Sequence, residues 1–78
     1  MATWMPHKHG TGADLRLGHG LRCSVHYEAS ERLPPGSPKY NVTVFGERVG
    51  GRVEDFEQAK ARAEEVARAW LTDALAAI

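Results

Sequence analysis

Four histidines and one cysteine are the side chains best suited to chemistry in this 78-residue chain. His7-x-His9 could place two imidazoles on one side of an extended segment. Zinc normally takes four ligands, and the one thiol is Cys23. Cys23 lies in an alternating run, Leu21-Arg22-Cys23-Ser24-Val25-His26-Tyr27-Glu28. On a strand that alternation turns Cys23 inward and His26 outward. The two side chains therefore diverge. They cannot share a metal, and His26 cannot activate the thiol, because nucleophile and base need hydrogen-bond reach. No catalytic set, metal or cofactor is expected. Cys23 is expected in the core as a small apolar residue, and His7, His9, His19 and His26 in solvent. Gly10-x-Gly12 and Gly18-x-Gly20 lack the strand-then-helix setting of a phosphate loop and serve as turn glycines.

The elements that would position these residues follow from hydrophobic period. Residues 1–12 are rich in Gly, His and Thr and predict a flexible arm, with Trp4 and Met5 able to pin it at one point. Ala13 to Leu17 and Leu21 to Glu28 alternate with period two and predict a hairpin turning at Gly18-His19-Gly20. Pro34-Pro35-Gly36-Ser37-Pro38 cannot continue a strand or helix, so 29–39 is a loop. Tyr40 to Phe45 and Arg48 to Val53 predict a second hairpin. Gly46-Glu47 at its tip suits a type II′ turn. On this pattern Tyr40, Val42 and Val44 share one face, and Thr43 and Phe45 the other. Gly50-Gly51 marks a bulge or bend.

Asp55 is a good N-cap, and Gln58 three residues on completes a variant capping box. Phe56, Ala59, Ala63, Val66, Ala67, Trp70, Leu71, Ala74, Leu75 and Ile78 then recur at helical spacing, an apolar stripe wide enough to cover a sheet. Glu64 and Arg68 have the spacing of a favourable i,i+4 pair. The expected architecture is α+β: a three- or four-stranded antiparallel sheet packed by one long C-terminal helix, forming a single domain over 13–78.

Ten Lys and Arg balance ten Asp and Glu. Zero net charge argues against strong non-specific nucleic-acid binding, which depends on phosphate neutralisation. Residues 1–52 carry seven basic and four acidic side chains, whereas 53–78 carry three and six. The sheet half is thus mildly basic and the helix half mildly acidic. A lone cysteine fits a reducing, cytoplasmic setting, and no apolar run approaches the roughly 20 residues that span a membrane.

The face left for work is the outer side of the sheet. Arg22, His26, Arg48 and Arg52 would supply charge there, and Phe45 and Trp4 buried area on binding. An exposed aromatic among arginines can stack bases, and the same face could dock a protein. Edge strands could also pair with a partner or a second copy, so monomer and homodimer both stand open.

The run Pro38-Lys39-Tyr40-Asn41-Val42-Thr43-Val44-Phe45-Gly46-Glu47-Arg48-Val49-Gly50, followed by Asp55-Phe56-Glu57-Gln58-Ala59-Lys60, covers about half the chain. It is similar to the strand–turn–strand–helix half of double-stranded-RNA-binding domains. It also resembles small sheet-plus-helix proteins of bacteriophages, including integrase arm-binding domains and some anti-CRISPR inhibitors. It departs from the RNA-binding family in having no helix before the sheet. Glu54, Asp55 and Glu57 also stand where that family places lysines for phosphate. The phage-type resemblance implies a non-enzymatic inhibitor that binds a host protein or nucleoprotein complex, such as a CRISPR effector, and blocks a surface. The alternative is a small nucleic-acid-binding module using the basic sheet face.

Overall fold

A computed structural model describes residues 3–7, 12–28, 34 and 39–78. Among these residues five strands and one helix follow one another: β1 (Trp4–Pro6), β2 (Gly12–Gly18), β3 (Leu21–Tyr27), β4 (Tyr40–Val44), β5 (Glu47–Arg48) and α1 (Phe56–Ala77). All neighbouring strands are antiparallel and lie in sequence order, a simple meander. The α+β class is as expected, with one strand more than the three or four anticipated. That strand is β1, in the segment expected as an arm. Trp4 pairs with Leu15 and Pro6 with Ala13, and the His7 amide donates to the Gly12 carbonyl at 2.9 Å. Proline is tolerated here because β1 is an edge strand. Most of the expected 29–39 loop lies outside the described residues; its base is closed by the Glu28 amide bonding to the Lys39 carbonyl at 2.7 Å.

Both hairpins turn through two consecutive residues of positive φ. His19 and Gly20 have φ of 56° and 77°, and Phe45 and Gly46 have 52° and 85°. That is the signature of a type I′ turn, whose twist matches the flanking strands. The second turn is therefore Phe45-Gly46, one residue earlier than the expected Gly46-Glu47. Val44 pairs with Glu47 as a result. The return strand is also shorter than expected. Continuous register would set Tyr40 against Gly51, but Tyr40 bridges Val53 instead. Two residues are extruded at the Gly50-Gly51 bend, where Gly50 has φ 60°.

Alternation then decides burial. Leu15, Cys23, Val25, Val42 and Val44 point to one face and meet Ala59, Ala63 and Ala67 of α1. Alanines at i, i+4 and i+8 form a ridge with no bulk, so the helix settles close onto the valines. Full burial of each valine is worth about 1.5–3 kcal/mol. Trp4, Tyr40, Phe45, Val49, Val53, Phe56, Val66 and Trp70 ring this centre, partly buried.

The helix start is at the expected place but is capped differently. Asp55 has the extended backbone of an N-cap, yet its side chain makes no capping hydrogen bond, so the box with Gln58 does not close. The helix ion pair is Glu57–Lys60 at 2.9 Å rather than Glu64–Arg68. The apolar stripe was expected to cover the sheet as far as Ile78, but coverage stops at Trp70. Leu71, Leu75 and Ile78 are 40%, 73% and 101% exposed. The reason is length. At 1.5 Å per residue the 22-residue helix runs about 33 Å, whereas five-residue β4 spans about 17 Å. No helix among the described residues is long and apolar enough to cross a membrane.

Candidate functional site

With α1 on one face, no element among the described residues covers the other, and strand register decides which side chains meet on that open face. Asp14 on β2 is opposite Ser24 on β3, which is opposite Thr43 on β4, which is opposite Arg48 on β5. Towards the hairpin turns, Arg16 faces Arg22. Towards the other end, Gly12 faces His26, and His26 faces Asn41.

Two hydrogen-bonded clusters organise this face. In the first, the Asp14 carboxylate accepts from His7 Nε2 at 2.9 Å and from Ser24 Oγ at 2.7 Å. An ionised carboxylate can only accept, so Nε2 carries the proton of that bond. Burial pushes the Asp14 carboxyl up. The bonds from His7 and Ser24, with the nearby charges of His7 and Arg22, outweigh that and hold it below its ordinary value. The His26 ring meets the His7 ring edge-on, centroids 5.1 Å apart. Gly12 makes room for this cluster: a Cβ there would lie 2.0 Å from the Val25 carbonyl oxygen and 3.0 Å from His7 Nδ1. The order of the three polar groups is wrong for a nucleophilic triad. Ser24 gives its proton to the carboxylate, and the imidazole does not stand between them.

In the second cluster, Glu28 Oε2 accepts from Asn41 Nδ2, from Arg52 Nε at 3.1 Å and from Arg52 Nη2 at 2.9 Å. Arg48 Nη2 donates to Asn41 Oδ1 at 2.6 Å. The bonds from Asn41 and Arg52 and the positive charges of Arg52 and Arg48 hold the Glu28 carboxyl below its ordinary value. Two of the arginines expected to supply charge are thus already engaged, Arg52 by an ion pair and Arg48 by an amide.

Beyond these clusters, at the end where the two hairpins turn, lies a shallow hollow of about 490 Å³. Arg16, Arg22, Ser24 and Thr43 line it, together with Leu21, Phe45 and glycines of the turns. Among the described residues neither Arg16 nor Arg22 forms an ion pair.

Of the six residues expected to bind, Arg22, His26, Arg48 and Arg52 are brought to the open face or its margin. The two aromatics are not free there. Phe45 was expected beside Thr43 on the open face. Its positive φ takes it out of the strand alternation, and its ring packs 6.1 Å from Trp70 on the helix side. Trp4 shares the face of its partner Leu15 and packs partly buried against the core, its indole N–H buried without a partner among the described residues. Sequence reasoning missed Asp14 and Arg16, which matter through pairings with residues ten and six positions away. Only the register of β2 on β3 reveals them. Cys23 is buried, as expected, and burial, with the negative charge of Glu64, raises its thiol. Among the described residues no group of three or more His, Cys, Asp or Glu side chains could hold a metal ion. His9 lies outside the described residues. Among the described residues no ion pair joins the two halves: His7–Asp14 and Arg52–Glu28 pair within the sheet half, and Lys60–Glu57 within the helix. The chain matches no protein-family model, no curated protein and no solved structure.

Proposed function

We propose that this protein is a non-enzymatic interaction domain that occupies a surface of a partner protein complex with the open face of its sheet. The observation that carries this reading is the one-sided cover. A helix buries one face, and the other presents Arg16, Arg22, His26 and Arg48 on a rigid, cross-strand-bonded platform. With Phe45 and Trp4 drawn towards the core, attachment rests on charge and hydrogen bonds rather than on aromatic anchors. Such a surface suits an acidic partner, and its action is steric blockade, as in a small inhibitor. The test is capture from native lysate with and without nuclease, using the wild-type protein and R22A/R48A. A stoichiometric protein complex that survives nuclease and is lost in R22A/R48A is expected. Unchanged capture by the double variant would refute the reading.

A second reading, nucleic-acid binding, draws on the Arg16–Arg22 pair, which has no acidic partner among the described residues. It predicts capture that collapses with nuclease, and affinity that falls steeply as salt rises.

A further inference from the structure

We infer that the hollow between the two hairpin turns is a binding site for a phosphate group. The inference rests on taking the open sheet face as the working face, but not on the identity of any macromolecular partner.

The pairing of β2 with β3 sets Arg16 directly opposite Arg22 on the same face. Like charges opposed across a strand pair are unfavourable. Elsewhere on this face the carboxylates are matched, Asp14 by His7 and Glu28 by Arg52, and Arg48 is held by the Asn41 amide oxygen. Arg16 and Arg22, which form no ion pair among the described residues, both line the hollow. Asp14, in the adjoining row, is held by His7 and Ser24. An incoming anion would therefore meet guanidiniums not already paired to it.

Size and geometry select among anions. A single arginine satisfies a planar carboxylate with one two-pronged contact. Two guanidiniums rising from different strands suit a tetrahedral oxyanion, whose several oxygens can be shared between them. Thr43, whose hydroxyl is a further donor, and Leu21 also line the hollow. The turn glycines keep the walls low: a Cβ at Gly18, Gly20 or Gly46 would meet nothing within 4 Å. At about 490 Å³ the hollow exceeds a bare phosphate and falls within the range of small-ligand sites. The ligand class is thus a phosphate ester, either a free small molecule or a unit of a nucleic-acid strand.

The test is an amide NMR titration at constant ionic strength with inorganic phosphate, a nucleoside monophosphate, a short single-stranded oligonucleotide and acetate. Phosphate and the monophosphate are expected to shift the amides of Leu21, Arg22, Ser24, Thr43 and Gly46. R16Q/R22Q should weaken that binding roughly tenfold or more, while R62Q, on the exposed side of the helix, leaves it unchanged. Tighter binding of the oligonucleotide at the same amides would assign the phosphate to a strand. Equal or weaker binding would assign it to a small ligand. Absence of localised shifts with all three phosphates, equal shifts with acetate, or shifts that persist in R16Q/R22Q would overturn the site. Loss of capture in R22A/R48A without phosphate binding would leave docking standing and remove the site. Phosphate binding with unchanged capture would do the reverse.

Discussion

Asp14 accepts from both His7 and Ser24 on the open face, and its environment makes it sensitive to acid. Its folded-state pKa lies below its ordinary value. The stability it contributes is therefore fully present above the unfolded carboxyl value of about 4, and is lost as pH falls through the lower folded value. Glu28 has the same sign. Urea midpoints measured from pH 6 down to pH 2 are expected to fall below about pH 4, and less steeply in D14N. Asp14→Ala, which leaves His7 and Ser24 without their acceptor, should cost about 1–2 kcal/mol at neutral pH. Gly12→Ala should cost more, about 2–4 kcal/mol, because its Cβ would strike the Val25 carbonyl rather than a side chain that can move. Cys23 is buried with its thiol pushed up, so a thiol reagent should label it only on global unfolding. Labelling of the native protein at the rate of a free thiol would contradict that placement.

The two type I′ turns place non-glycine residues where asparagine is the preferred choice. His19 is exposed, so His19→Asn should raise stability by about 0.5 kcal/mol. Phe45→Asn offers the same gain in the turn but removes the ring from Trp70, and a net loss of about 1–2 kcal/mol is expected. Opposite signs in thermal denaturation would confirm that Phe45 serves the core and not the turn. Along α1 the same contrast separates contact from overhang. Ala63→Leu forces bulk between helix and sheet and should cost about 1–3 kcal/mol. Leu75→Ser, beyond the sheet, should change stability by less than about 0.5 kcal/mol.

The described residues share one core between one helix and one sheet, with Trp4 at the β1 margin and Trp70 on the helix. If this core is a single cooperative unit, far-UV circular dichroism and tryptophan fluorescence should give coincident urea transitions. In W70F, fluorescence reports on Trp4 alone. A Trp4 transition that precedes the loss of helix would show β1 detaching before the rest. The one-sided architecture also separates stability from work: core valines and alanines face the helix, and the charged rows face away. Substitutions at Arg16 and Arg22 should therefore weaken binding without lowering the urea midpoint, and relief of the like-charge pairing should raise it slightly.

The sequence by itself determined the α+β class, the strand alternation of Leu21 to Tyr27, the helix start at Asp55 and the burial of Cys23. Each follows from local period or local chemistry: period two against one covered face, period 3.6 against a sheet, an extended cap residue before a helical run. Tertiary structure decided where local signals are silent. A one-residue shift in the second turn moved Phe45 from the open face to Trp70, because strand faces alternate with every residue. The helix outran the sheet because apolar spacing says nothing of how long its partner strands are. Trp4–Pro6 became a strand because β2 offered an edge to pair with, not because the segment has strand character of its own. Asp14 met His7 and Ser24, and Arg16 met Arg22, through cross-strand register, a relation between distant positions that no single segment of the chain contains.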